Sequence, residues 1–147
     1  MTHTFSKFII QLDDPECMPT KANPTDSGYD LKAFLKEPLV LEPGQWALVP
    51  CGFKMQMPIG VDAQIRPRSG LALKNGVTVA NSPGSIDNEY RGPIAVILYN
   101  YSKEPYTVFP YSRIAQMVFG SVVYCDLTVG EVNTNTSRGT GGFGSSD

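Results

Sequence analysis

A chain of 147 residues, 41% of them apolar, has enough material for one domain with a real core and needs no disulfide or metal staple. A formal net charge of −2 excludes a general attraction to nucleic acid, so an anionic ligand must find its positive charge in a local cluster. Cys17, Cys51 and Cys125 are irregularly spaced with no CxxC pair, which argues against zinc and fits a reducing compartment.

Along the chain, 14 glycines and 12 prolines punctuate short apolar runs. Strands are expected over 8–12, 45–49, 53–57, 61–65, 94–99, 106–109, 114–119 and 122–127. Many of these runs are rich in Val, Ile, Phe and Tyr, which suit a half-buried pleated surface. Turn signals separate them at Glu42-Pro43-Gly44, Pro58-Ile59-Gly60 and Asn75-Gly76. Short strands at this spacing predict an all-β sandwich or barrel. The one expected helical turn is 70–74, capped by Ser69 and ended by Asn75-Gly76. Residues 13–27 read as an ordered polar loop. Trp46 and the aromatics without a motif are most simply core.

Neither a signal-peptide core in 1–8 nor an apolar run of membrane-spanning length is present, so the expected setting is soluble and cytoplasmic, with the nucleus open. His3, the single histidine, is given no role. Residues 133–147 are almost all Thr, Ser, Asn and Gly, too polar to order themselves. The default for such a tail is a frayed end. Its Arg138 and Phe143, set among Gly139, Gly141, Gly142 and Gly144, also suit a segment that closes over a ligand.

Several segments carry chemistry. Arg66-Pro67-Arg68-Ser69-Gly70 offers arginine forks and a hydroxyl at a helix start, where backbone N–H groups attract anions. Taken alone, it is more often a solvated surface turn. Residues 84–92 hold Asp87, Glu89 and Tyr90 between glycines; a carboxylate there suits a general base, and a hairpin with solvated acids is the commoner case. Asn81 adds an amide that both donates and accepts. Asp30 suits metal-bound water or, alone, a strand-edge position. Gln116 is a polar residue in an apolar strand, compatible with an outward-facing place.

In order, the chain reads Ser27-Gly28-Tyr29-Asp30-Leu31, then Arg66-Pro67-Arg68-Ser69-Gly70-Leu71. Asn81 with Gly84-Ser85-Ile86-Asp87-Asn88-Glu89-Tyr90-Arg91-Gly92 comes next, followed by Arg113-Ile114-Ala115-Gln116-Met117. Arg138-Gly139-Thr140-Gly141-Gly142-Phe143-Gly144-Ser145 closes the series. This set closely resembles the five motifs of the trimeric dUTP pyrophosphatase (dUTPase) family, from about the first expected strand to the last residues.

The resemblance implies a jelly-roll-like β-barrel with one short helix over 1–132, and a glycine-rich arm over 133–147 that closes a neighbour's site. It implies a homotrimer whose sites draw on all three subunits, with dUTP as substrate and no nucleic-acid or membrane partner. The implied reaction is hydrolysis to dUMP and pyrophosphate, which lowers dUTP and supplies dUMP for thymidylate synthesis.

By the same resemblance, Asp87 activates the water that attacks the α-phosphorus. Tyr90 packs on the deoxyribose and leaves no room for a 2′-hydroxyl. Asn81 and the backbone of Gly84, Ser85 and Ile86 bond uracil. Arg68, Ser69 and Gly70 grip the phosphates, and Gln116 touches one of them. Asp30 reaches Mg²⁺ through water, the ion itself being held mainly by phosphates. Arg138 meets the γ-phosphate, Phe143 and Gly144 close over uracil, and Thr140 and Ser145 add phosphate contacts. Arg68, Arg138 and Mg²⁺ together would balance the roughly four negative charges of a triphosphate.

Departures from the family pattern are small. Glu89 stands where aspartate is common, Ser85 where an apolar residue or threonine is common, and Lys32 where an apolar or aromatic residue is frequent. Two other readings of the motif set are a dCTP deaminase of the same fold and a dUTP-binding protein without activity.

Overall fold

The computed structural model describes residues 8–146. His3 therefore lies outside the described residues. Strands run in the order β1 (Ile9–Leu12), β2 (Tyr29–Lys32), β3 (Leu39–Leu41), β4 (Trp46–Pro50), β5 (Phe53–Gln56) and β6 (Val61–Arg66). Helix α1 (Ser69–Asn75) precedes β7 (Val77–Val79), β8 (Gly84–Ile86), β9 (Ala95–Asn100), β10 (Tyr106–Val108) and β11 (Arg113–Ser121). A single 3-10 turn, Pro15–Cys17, interrupts the loop after β1; the Asp14 side chain accepts from Glu16 N at its start.

All strand pairings are antiparallel. A four-stranded sheet runs β2-β11-β6-β8 and a three-stranded one β4-β9-β7, with the two-stranded ribbons β1-β5 and β3-β10. The alternation expected of half-buried strands is present in β9, where Val96, Leu98 and Asn100 are buried and Ala95, Ile97 and Tyr99 are only partly covered. Inward residues of both larger sheets and of the ribbons meet in one core, including Leu31, Val49, Phe53, Ile65, Val79, Leu98, Val108 and Met117. This layered antiparallel arrangement is the jelly-roll-like β fold expected from the sequence. Among the described residues no helix is long and apolar enough to cross a membrane.

The structure departs from the sequence expectations in several places. The expected strand at 122–127 does not form, because β11 ends at Ser121, paired with Val61, and residues 122–127 have no neighbouring strand among the described residues. Their apolar side chains consequently face solvent, with Leu127 97% exposed. Trp46 is not core: it is 69% exposed on the outer face of its sheet, opposite Tyr99. Tyr101, Phe109 and Tyr124 are likewise at least half exposed. Helix α1 is capped by Arg68 rather than Ser69, in extended geometry and without a side-chain hydrogen bond. Its other end is as expected: Gly76 adopts a left-handed conformation at φ 62 and its N–H returns to the last turn.

Asn100 is fully buried and fully bonded: Nδ2 donates to Leu41 O (2.9 Å) and Glu104 O (2.8 Å), while Oδ1 accepts from Ser102 N (3.0 Å) and Ser102 Oγ (2.8 Å). Burial pushes the Cys51 thiol up to about 12, and burial with the nearby Asp14 charge raises Cys17, so neither is a ready thiolate. Replacing Asn100 by alanine would leave the buried Leu41 carbonyl and the partly buried Glu104 carbonyl without this donor. Asn100→Ala is expected to cost about 3 kcal/mol in denaturant unfolding at fixed protein concentration; a loss below about 0.5 kcal/mol would mean the loop finds other partners.

Candidate active site

The segment after β7 builds one half of the site. Ser82–Pro83 is a cis peptide, and the chain then enters β8, which pairs with β6 in the register Ile65↔Gly84, Gln64↔Ser85 and Ala63↔Ile86. β8 is the outer strand of its sheet. Its backbone groups that point away from β6 therefore have no ladder partner and are available to a ligand. Gly84 is buried, and a Cβ there would lie 3.2 Å from Asn81 Nδ2 and 3.4 Å from Ile65 Cβ, so glycine lets Asn81 fold back over the strand.

Beyond β8 the turn is anchored by Asn88, whose Nδ2 donates to Pro58 O at 2.6 Å and Val61 O at 3.1 Å. That anchor fixes its neighbour Asp87, which is exposed and has no ion-pair partner among the described residues. The phenol end of Tyr90 sits against Gly92, where any Cβ would collide with it, and its hydroxyl donates to Pro93 O at 3.0 Å. A cleft of about 440 Å³ is lined by Asn81, Gly84, Ser85, Ile86, Asp87 and Tyr90, with Leu48, Pro50, Ile65 and residues 93–97 completing its walls. Its chemistry is an apolar slot with an amide, free backbone groups, one ring and one unpaired carboxylate at the mouth. That suits a planar heterocycle with a sugar.

The second half forms where β2, β11 and the exit of β6 meet. Gln116 stands between Asp30 on β2 and Arg66 on β6, and its Nε2 donates to Pro67 O at 2.9 Å. Gly28 makes room for it, since a Cβ at that position would collide with Gln116 Oε1. Asp30 bonds two arginines: its Oδ1 lies 3.3 Å from Arg68 Nε and its Oδ2 3.3 Å from Arg113 Nη1. Burial raises the Tyr106 phenol, with the Arg68 charge opposing. Ser69 and Gly70 open helix α1, both exposed, and a Cβ on Gly70 would meet nothing within 4 Å. No packing within the chain calls for glycine there. A positive, hydroxyl-bearing surface at a turn of backbone N–H groups suits phosphate oxygens.

The tail stands apart from both. Arg138 Nε donates to Gly141 O at 2.9 Å, Gly139 N donates to Thr136 Oγ1 at 2.8 Å, and Phe143 is fully exposed next to Gly144 (φ 86). The structure thus joins Asn81, Gly84, Ser85, Ile86, Asp87 and Tyr90 in one cleft. It joins Asp30, Arg68 and Gln116, beside Ser69 and Gly70, in a second group that does not line that cleft. Arg138, Phe143 and Gly144 belong to neither. Sequence reasoning missed Arg113 and the packing roles of Gly28 and Gly92.

The model of the dUTPase family matches residues 14–147. The deoxyuridine 5'-triphosphate nucleotidohydrolase of Picosynechococcus sp. is 49% identical over 137 residues, covering 93% of this chain and 95% of its own. That of Chlamydia pneumoniae is 47% identical over 137 residues, covering 92% and 94%. Among solved structures, the Staphylococcus bacteriophage 80alpha dUTPase with dUPNHPP shares 26% identity at a TM-score of 0.81, over 96% of this chain and 98% of that one. With the family model matching nearly the whole chain and relatives 47% and 49% identical over more than nine-tenths of both chains, the chain belongs to the dUTPase family.

Proposed function

We propose that the chain hydrolyses dUTP to dUMP and pyrophosphate, with Asp87 as general base and with each site assembled from more than one copy of the chain. The observation that carries this reading is the division of the motif residues. The cleft with Asp87 and Tyr90 holds no arginine, while the arginine group around Asp30 does not line that cleft. A nucleoside triphosphate needs both, and a second copy supplies what one chain keeps apart.

Exposed apolar surface supports assembly as a homotrimer. Trp46 and Leu48 are exposed on β4, and Val123, Tyr124, Leu127, Val129 and Val132 are exposed along the segment after β11. Apolar surface of this extent marks an interface. Among the described residues β1 pairs with β5 alone, which leaves its outer edge for a further strand. Residues 8–132 then form the body, and 133–147 form an arm that brings Arg138, Phe143 and Gly144 to a neighbouring site.

In the assembled site, Asn81 and the free backbone groups of Gly84, Ser85 and Ile86 read the edge of uracil. Cytosine presents donors where uracil presents acceptors, and a mismatch of that kind is rejected by roughly 10⁴–10⁵. Tyr90, held down on Gly92, packs against the sugar. Asp87 takes a proton from the attacking water, and the electron pair of the broken α–β bridge leaves with pyrophosphate. Arg68, Ser69, Gln116 and Arg138 bind the developing charge, in surroundings that the arm dries.

Among the described residues no three metal-ligating side chains cluster, so the chain offers no cage for a divalent ion. Asp30 keeps free lone pairs beside its two arginines. That donor set fits Mg²⁺ held by substrate phosphates and water, with Asp30 in the outer sphere. When bound, the ion supplies neutralising charge to the phosphates.

Three outcomes test these roles. Asp87→Asn is expected to lower turnover by roughly 100-fold or more while retaining dUTP affinity, by steady-state and binding assays; full turnover would remove Asp87 as the base. Tyr90→Ala is expected to admit UTP in a pyrophosphate-release assay, and continued refusal would place sugar reading elsewhere. Deleting 135–147 is expected to leave a folded assembly of unchanged size with low activity. Full activity of that truncation would make the arm a bystander.

A further inference from the structure

We propose that Arg113 is a positioning residue that holds Arg68 ready for the phosphates, acting through Asp30. The proposal rests on the reading of Arg68 as a phosphate ligand. It starts from a break in the β2-β11 ladder. Gln116 faces Asp30 and Ala115 faces Leu31, but the next pair is Arg113 with Lys32. In an unbroken antiparallel register Ile114 would face Lys32. One extra residue on β11 hands that place to Arg113, which is the work of a β-bulge. Asp30 and Lys32 are two apart and share a face, and directly opposed residues share a face as well. The bulge therefore puts Arg113 on the side of the sheet that carries Asp30 and Gln116. Its mark in the burial pattern is the consecutive buried pair Ile114 and Ala115.

The contacts close a ring. Arg113 Nη1 lies 3.3 Å from Asp30 Oδ2, Asp30 Oδ1 lies 3.3 Å from Arg68 Nε, and Arg68 Nη1 donates to Arg113 O at 3.1 Å. Arg68 is thus held from two directions, by a carboxylate and by a main-chain carbonyl. Its Nη2 donors are left for a phosphate. The side chains of Arg113, Arg68 and Asp30 are 54%, 27% and 20% exposed, and ion pairs so placed contribute little to folding stability. Orientation is what they provide.

Charge balance gives Arg113 a second effect. A lone Arg68–Asp30 pair would be neutral and would compete with substrate for the guanidinium. Two arginines on one carboxylate leave one net positive charge at the site. Asp30 is then shared, and Arg68 gives up less when a phosphate arrives.

The test is a double-mutant cycle on the full chain, with deoxyuridine, which carries no phosphate, as a competitive inhibitor reporting the base and sugar cleft. Arg113→Met removes the guanidinium and keeps the carbonyl that Arg68 uses. It is expected to raise KM for dUTP roughly tenfold with deoxyuridine affinity unchanged, and Arg113→Lys is expected to recover most of the loss. Arg68→Ala with Arg113→Met is expected to be no worse than Arg68→Ala alone. A wild-type KM in Arg113→Met, an equal weakening of deoxyuridine, or additive losses in the double variant would each overturn the proposal. If Arg68→Ala itself leaves dUTP kinetics unchanged, the failure lies in the phosphate role of Arg68 instead.

Discussion

Strand β6 lies between β11 and β8, and its two antiparallel ladders set where the two halves of the candidate site stand. On one side Gln116 faces Arg66, and on the other Gly84 faces Ile65. The two pairs are adjacent along β6, so the group proposed to bind phosphates and the strand proposed to bind the nucleoside hang from neighbouring residues of one strand. A one-residue slip would send each inward side chain outward. The buried Ala63 and Ile65 oppose such a slip, because they would exchange places with Gln64 and Arg66. Core packing therefore fixes the register, and the register fixes the chemistry.

Much of this was legible in the sequence. Valine-, isoleucine- and aromatic-rich runs located β1, β4, β5, β6, β9, β10 and β11 within a residue or two, and Asn75-Gly76 marked the helix end. The short strands β2, β3, β7 and β8 were not legible. They span three or four residues, and their strand character comes from the partners β11, β10, β9 and β6 rather than from their own composition. The apolar run at 122–127 pointed to a strand, but a strand needs a ladder and none forms there among the described residues. Trp46 was misplaced for a related reason: composition does not say which face of a two-sided strand meets the core.

The candidate site residues were legible as types and as motifs, not as geometry. Neither Asp87 nor Arg68 signals by itself whether it lies in a cleft or on open surface. Their grouping depends on pairings between segments far apart in sequence, such as β2 with β11. Supporting residues were harder still. Gly28 and Gly92 matter through the volume that they leave empty, for Gln116 and for the Tyr90 ring, and an empty volume has no signature in a single sequence.

Gly70 brings a different kind of consequence. Open space surrounds it, and its backbone is helical, so alanine would fit and would favour the helix by roughly 0.5–1 kcal/mol. The chain forgoes that gain at the point proposed to meet phosphate oxygens. On that proposal, directed evolution that rewarded thermal tolerance alone would drift toward alanine at this position and lose catalytic power on the way. Here robustness and turnover pull in opposite directions.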